Sequence, residues 1–379
     1  MTVLYEADVA VVGGGIIGCA TAYHLAKAGR RVAVAEKSEV GAEASGRNGG
    51  GTRQQARHPA ETPVAIFSAS LWQDLDRELG TETEYRRGGN LWLAFTEAEH
   101  AAQYRLAPGQ RAMGLDVRLL GREEIGQIFP FLDTGGIAGG SYSPTCGNAN
   151  PILTTRGYGR AATRLGAEIF EHPEVLGVKQ SSGAVSALLT SRGEIRAPII
   201  LNAAGAWAPE IARMAGLELP IRPSRDQVMV TEALGPICRP FVISDRVYFR
   251  QAAHGGFHIG TVNLPHTTFA QTTEPVDLSN AARAFVELIP SLRHVKVVRS
   301  WGGTSEKTPD DIPILGFAGE PEGFAIAAGF SGHGFALGPA VGQLMGELLL
   351  GRPSTLPLAD FNLSRFRGNP EGTPVPHWS

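Results

Sequence analysis

Gly13-Gly14-Gly15-Ile16-Ile17-Gly18, with Glu36 at the end of the next apolar run, are the residues whose types and spacing specify chemistry most directly. The glycines follow an apolar segment, residues 8–12, without a break. Gly13 lets the chain turn tightly out of a strand, Gly15 lets the backbone approach a pyrophosphate, and Gly18 lets a helix pack closely on the sheet. A helix opening at Ile16 and Ile17 presents free N–H groups and a positive dipole end to phosphates. Val32-Ala33-Val34-Ala35 reads as a short strand that delivers Glu36, with Lys37 beside it. That is about 20 residues past the glycines, where an acid accepts hydrogen bonds from adenosine ribose hydroxyls. An acid rather than an arginine there argues against a 2′-phosphate. The pattern is that of a dinucleotide site.

Two further glycine turns narrow the cofactor. Residues 41–51 form a Gly/Ser/Arg loop that includes Ala44, Ser45, Gly46, Asn48, Gly49 and Gly50. Gly329-Phe330-Ser331-Gly332-His333-Gly334-Phe335 stands immediately before an expected helix. Glycine gathered in three such stretches reads as close backbone approach to a ligand, not as low complexity. The pyrimidine end of a flavin gathers negative charge on reduction, and a helix N-terminus pointed at it stabilises that charge. A nicotinamide carrier needs no such turn so far from its first fingerprint, so the expected cofactor is FAD.

A carboxylate-bearing substrate wants a bidentate arginine. Arg53, in the glycine loop, serves cofactor or substrate, or else anchors the loop. Tyr248 and Arg250 are two apart on one expected strand and share a face. Facing a cavity they could grip a carboxylate; facing outward they form a solvated surface. Arg57 is a further candidate. His333, inside the third glycine turn, reads as a flavin contact, whereas His24 on the first helix reads as surface or satisfied core. Cys146 lacks the basic company that would make it a nucleophile. Ser331 and His333 have no acid to complete a hydrolytic triad.

These groups need elements to position them. A helix carrying Ala65, Ile66, Leu71, Trp72, Leu75 and Leu79 ends at Gly80. A strand over 89–95, a short helix over 123–128 and a helix over 152–165 follow. A strand over 168–170, a hairpin around Ser181-Ser182-Gly183 and a buried β run over 198–202 come next. After Pro223 the stretches 227–231, 246–250 and 256–262 read as antiparallel strands. A helix over 280–289, capped by Asn280 and stopped by Pro290, interrupts them. The closing segment is a strand over 324–328 and a helix with Pro339 at its start, Gly351 past its end, and a stripe of Val341, Leu344, Met345, Leu348 and Leu349.

The expected fold class is α/β, a nucleotide-binding domain in several pieces with an antiparallel substrate domain inserted into it. Residues 1–85, 147–223 and 301–366 are assigned to the first, 86–146 and 224–300 to the second, and 367–379 to a loose tail. A length of 379 residues exceeds one ordinary core. A net charge of -3 gives no electrostatic case for nucleic acid or an anionic membrane. Cys19, Cys146 and Cys238 are scattered, odd in number and without metal spacing, so a reducing cytoplasm is expected. Glu6 and Asp8 interrupt the start and no basic segment precedes them, which argues against a secretory signal. No apolar run approaches the roughly 20 residues of a membrane span.

The ordered set of residues 13–18, Glu36, Ala44-Ser45-Gly46, Ala203-Ala204-Gly205-Ala206-Trp207, Thr308-Pro309-Asp310 and residues 329–335 resembles the D-amino-acid oxidase, glycine oxidase and sarcosine oxidase family over nearly the whole chain. Residues 45–51 with Arg53 look most like β subunits of heteromeric amine dehydrogenases, which include proline or hydroxyproline dehydrogenases and opine oxidases. The resemblance implies a glutathione-reductase-like FAD domain and a sheet over the flavin that forms the substrate cavity. It also implies oxidation of a small amino acid by hydride transfer from the carbon beside nitrogen, and α/γ electron-transfer subunits as partners. It adds Val175 at the adenine, and Ala204, Gly205, Trp207 and Gly302 along the cofactor. Departures matter too. Gly303 stands where sarcosine oxidases attach flavin to a cysteine, so FAD is expected to be non-covalent. Ala336 replaces a carboxylate-binding lysine, His258 replaces an oxygen-activating lysine, and Asn148-Ala149-Asn150-Pro151 lacks a flavin-linking histidine. These favour a dehydrogenase; the alternatives are an oxygen-using oxidase and an electron-transfer subunit whose substrate site lies elsewhere.

Overall fold

The computed structural model describes residues 2–262 and 266–368, so most of the expected tail lies outside the described residues. At its centre is a six-stranded sheet in the order Ile314–Phe317, Phe324–Ala328, Ile200–Asn202, Val9–Val12, Val32–Glu36, Glu168–Glu171. Neighbours are parallel except at Ile314–Phe317, which runs antiparallel to Phe324–Ala328. Val9–Val12, Val32–Glu36 and Phe324–Ala328 are buried at every residue, the signature of parallel strands covered on both faces. Alternate side chains explain the two covers. Val9, Val11, Val32 and Val34 meet the helices Ile16–Lys27, Pro151–Arg164 and Gly334–Leu349. Ala10, Val12, Ala33 and Ala35 meet a smaller sheet formed by Val3–Glu6, Gly193–Arg196, Ala184–Thr190 and Val175–Ser181.

The first and last helices cross at a seam of glycines. A Cβ added at Gly338 would overlap Ile16, one at Gly342 would overlap Ala20, and one at Gly346 would press on His24. Glycines every fourth residue therefore meet residues every fourth position on the partner, which brings the two backbones together. The last helix begins at Gly334, so Pro339 lies inside it and not at its start. The proline removes one intrahelical donor. One turn earlier, the Ala336 carbonyl accepts from Ser68 Oγ at 2.6 Å and Trp72 Nε1 at 3.0 Å, so neighbouring side chains serve the opened turn.

An eight-stranded sheet forms the second layer: Val297–Lys307, Arg222–Thr231, Phe257–Gly260, Tyr248–Gln251, Phe241–Ile243, Asn90–Ala94, Gly139–Ser143, Arg118–Leu120. It is antiparallel except where Phe241–Ile243 runs parallel to Asn90–Ala94. One face packs Phe249, Phe257 and Ile259 against Ala281, Ala284 and Phe285 of the helix Pro275–Leu288. That helix starts five residues before Asn280, with Pro275 in its first turn and Glu274 as its cap. Pro at a first helical position followed by an acid, here Asp277, is the start signal that outweighs the internal Asn. The sequence reading also lacked the helix Glu97–Ala112, whose opening was present as Thr96-x-x-Glu99. Thr96 accepts from Glu99 N–H, and the Glu99 carboxylate accepts from Phe95 N–H at 2.7 Å. The strands Arg222–Thr231 and Val297–Lys307 run continuously across positions 223/224 and 300/301.

The glycine seam makes a direct prediction. Gly342→Val should force the two helices apart and cost about 2–3 kcal/mol, read as a lower denaturant midpoint. Gly109→Ala, at a helical position with open space around it, should instead stabilise by about 0.5–1 kcal/mol.

Candidate active site

A cleft of about 510 Å³ opens at the C-terminal ends of the parallel strands and is roofed by the eight-stranded sheet. Gly13 has φ 108°, and a Cβ there would sit 2.9 Å from the Ala203 carbonyl carbon. A Cβ at Gly18 would overlap the Gly13 carbonyl, so this glycine sets helix–strand distance and lies behind the cleft wall. Gly15 caps the first helix without a side-chain bond, and Ile16 N–H donates to Ser45 Oγ at 2.9 Å. The Glu36 carboxylate accepts from Gly14 N–H at 2.6 Å and from Ser38 N–H at 2.8 Å, while still lining the cleft. Burial raises its pKa, and those two N–H bonds oppose the rise. A helix N-terminus open to the cleft, a side-chain-free turn and a buried acid fit the pyrophosphate and ribose of FAD.

Further along, Val175, Ala204, Gly205 and Trp207 line the same cleft. Lys37 Nζ lies 3.1 Å from the Trp207 ring centroid, and Phe269 packs on the same ring at 5.2 Å. Gln271 Nε2 reaches Glu43 Oε2 at 2.7 Å. Ala44, Ser45, Asn48, Gly49 and Gly50 form the near wall, with the Asn48 side chain bonded to Ala44 O, Ser45 O and Gly50 N. Gly46 packs under Gly41 O, Gly302 under Gln271 O, and Gly329, with φ 80°, against Thr308; these three shape the wall from behind.

At the other end, Ser331, Gly332, His333, Gly334 and Phe335 bring the last helix's N-terminus to the cleft. His333 Nδ1 lies 3.0 Å from Glu61 Oε2, and Arg57 Nη1 lies 3.9 Å from the same oxygen. Arg53 Nη1 donates to Gln55 O at 2.5 Å and Ala56 O at 2.8 Å. Burial pushes His333 down to about 4, with Arg57 adding to the shift, so its ring is neutral near pH 7. Burial alone would raise the Glu61 carboxyl, but His333, Arg57 and Arg53 hold it below the usual carboxylate range. Burial brings Arg53 down to about 9, which leaves it charged. Arg57 Nη1 and Glu61 Oε1 are buried without hydrogen-bond partners. Glu61 was missed in the sequence; its i,i+4 spacing from Arg57 was the available signal.

On the roof, Tyr248 stacks on Phe241 at 5.7 Å and faces the cleft. Burial raises its hydroxyl pKa, and Asp226 adds to the rise. Arg250 shares that sheet face but stands outside the lining, its Nε donating to Gly49 O at 2.5 Å. His258 pairs with Arg250 in register, two residue pairs beyond Tyr248 and Gly260, and also stands outside the lining. Its ring meets Trp301 at 5.9 Å and His254 at 5.7 Å. Burial, then Arg250 and His254, push it down to about 3. Asp226, Ser305 and Glu306, none of them singled out in the sequence, line the cleft beside Gly303. Glu306 Oε1 accepts from Phe330 N–H at 3.1 Å. Among the described residues no helix is long and apolar enough to cross a membrane.

The comparison with known proteins agrees with this geometry. The chain is 32% identical over 367 residues to sarcosine oxidase subunit beta of Rhizobium meliloti (strain 1021), covering 95% of this chain and 88% of that protein. It is 31% identical over 370 residues to glycine oxidase of Geobacillus kaustophilus (strain HTA426), covering 95% and 97%. The solved structure of L-proline dehydrogenase from P. horikoshii matches with a TM-score of 0.92 at 33% identity, covering 96% of this chain and 98% of that one. The family model for FAD dependent oxidoreductases matches residues 8–348. The chain belongs to that family and is an FAD-dependent oxidoreductase.

Proposed function

We propose that this enzyme is a dehydrogenase that oxidises the C–N bond of an amino acid, with a secondary amine such as an opine, a hydroxyproline or an N-methyl amino acid as substrate. The observation that carries the reading is the cavity end beside the Gly334–Leu349 helix. There Arg57 holds a buried Nη1 without a hydrogen-bond partner, next to Arg53 and across from Tyr248. Glu61 offsets the charge at 3.9 Å without accepting a hydrogen bond, and a substrate carboxylate would give the buried donor an acceptor. The names of the relatives, which act on sarcosine, glycine and L-proline, support the same substrate class.

FAD, when bound, supplies the hydride-accepting ring. The chain's own residues do the rest. The N-terminus of the first helix and Glu36 hold the dinucleotide, and Gly303 offers no side chain for a covalent link. Arg57 and Arg53 orient the carboxylate. Glu61 fixes His333 through Nδ1, and the stacked Phe241 and Tyr248 rings exclude water from the roof. Hydride transfer needs a neutral amine and close approach, so orientation and desolvation are the protein's main contributions.

Electrons are proposed to leave through another protein, of the kind the relatives named subunit beta imply. Among the described residues the only lysine lining the cleft is Lys37, whose ammonium lies against the Trp207 ring. Neutral His258 supplies no fixed positive charge to stabilise superoxide.

Acid precipitation should leave the yellow colour in the supernatant, and Glu36→Ala should weaken FAD retention by about 1–3 kcal/mol, measured by cofactor titration. Colour that stays with the pellet would contradict a non-covalent site. Arg57→Met should raise KM for amino acids far more than for simple amines. Arg250→Met should loosen the Gly49 loop and affect both alike, with lower FAD content. In stopped-flow measurements, air should reoxidise the reduced enzyme more slowly than an artificial dye turns it over; the reverse order would make it an oxidase.

A further inference from the structure

The cavity roof carries a carboxylate that the proposed reaction does not use. Asp226 lies on the strand Arg222–Thr231, half-buried and lining the cleft. Its cross-strand partner is Gly303, over which the Arg47 side chain packs. The Arg47 guanidinium is engaged elsewhere, with Nη1 donating to Gly302 O at 3.2 Å and Nε paired with Glu43 at 3.8 Å. Two residues on, and therefore on the same face, Ser305 donates to Asp226 Oδ2 at 2.6 Å. That bond fixes the carboxylate without neutralising it. The adjacent Arg225 belongs to the opposite face and pairs with Glu274 at 3.0 Å. Among the described residues no lysine, arginine or histidine stands in ion-pair contact with Asp226, whereas Glu61 has both Arg57 and His333.

We propose that Asp226, braced by Ser305, is a specificity-determining residue that binds a second, positively charged nitrogen of the substrate, a side-chain ammonium or guanidinium distinct from the amine that is oxidised. The inference rests on the amino acid reading above. A ligand that fills the cleft strips the remaining water from Asp226, and a carboxylate left unpaired in that state is costly. The ligand must therefore bring a counter-charge. The reacting amine is a poor source of it. A carboxylate beside that nitrogen favours its protonated form, and hydride leaves only from the neutral amine. The cavity thus has one cationic end, at Arg53 and Arg57, and one anionic wall. The buried Nη1 of Arg57, which has Glu61 at 3.9 Å but no hydrogen-bond acceptor, independently offers a donor at the first end. A substrate with a carboxylate at one end and a cationic side chain at the other satisfies both.

The test uses the full-length, FAD-loaded protein and two probes that differ only in a terminal ammonium group, Nα-methyl-lysine and Nα-methyl-norleucine, in both enantiomers. Anaerobic flavin bleaching gives relative kcat/KM, and perturbation of flavin absorbance gives relative Kd for lysine and norleucine themselves. The cationic member of each pair should be preferred by roughly 10- to 100-fold. Asp226→Asn should bring the ratio close to one, and Ser305→Ala should lower it partway. No preference in the native enzyme, or a ratio that survives Asp226→Asn, overturns the proposal. Loss with both probes alike, together with a shifted acid limb of the pH profile, would place Asp226 on the reacting amine and also overturn it. Bleaching by the norleucine probe without any preference would leave the amino acid reading standing. Failure of every amine to bleach would sink that reading, while the binding ratio would still report on Asp226.

Discussion

Two helices from opposite ends of the chain deliver their N-termini to one cleft, and the distance between their backbones decides whether they can. At the crossing, Gly338, Gly342 and Gly346 stand over Ile16, Ala20 and His24. Any side chain at Gly342 would push the axes apart, and each helix end would swing away from the ligand it faces. Both dipole ends open on the same cleft, so the seam sets the spacing of two electropositive helix ends at once. The Ser68 and Trp72 bonds to Ala336 O brace the last helix from its other side, where Pro339 has opened the ladder.

Beside that second helix end sits a charged cluster that ordinary folding would avoid. Arg57 and Glu61 are almost wholly removed from water, and His333 and Arg53 adjoin them. Burying such a set is expensive, and its partners only partly offset the cost. What the cluster provides is orientation. Glu61 fixes the imidazole by Nδ1, and the neighbouring arginines keep Glu61 ionised, so the polar groups at this end have one arrangement.

Sequence alone made the cofactor half of the molecule legible, because its constraints are local. Gly13, Gly15, Gly18 and Glu36 are separated by fixed numbers of residues within one strand–helix–strand unit. The roof of the cleft is assembled from long-range pairings. Asp226, Ser305 and Tyr248 come together only through strand register, and no spacing in the chain relates them. Glu61 was hidden for a different reason, since an acid in the first turn of a helix ordinarily reads as a dipole partner. Arg250 and His258 share the face of Tyr248 as the period-two argument requires. A period gives the face and not the rung, and both fall beyond the cavity's edge.

The register of the roof has an evolutionary consequence. The ladder that holds the strand Arg222–Thr231 to Val297–Lys307 is made by backbone groups, which are indifferent to the side chains they carry. Positions 226 and 305 can therefore vary while the sheet stays intact. The glycines of the helix seam and the phosphate turn have no such latitude, because their neighbours occupy the space a side chain would need. Contact fixes those glycines while the polar roof positions 226 and 305 are held only through their backbones, so gene duplicates could diverge in diet while keeping the same engine.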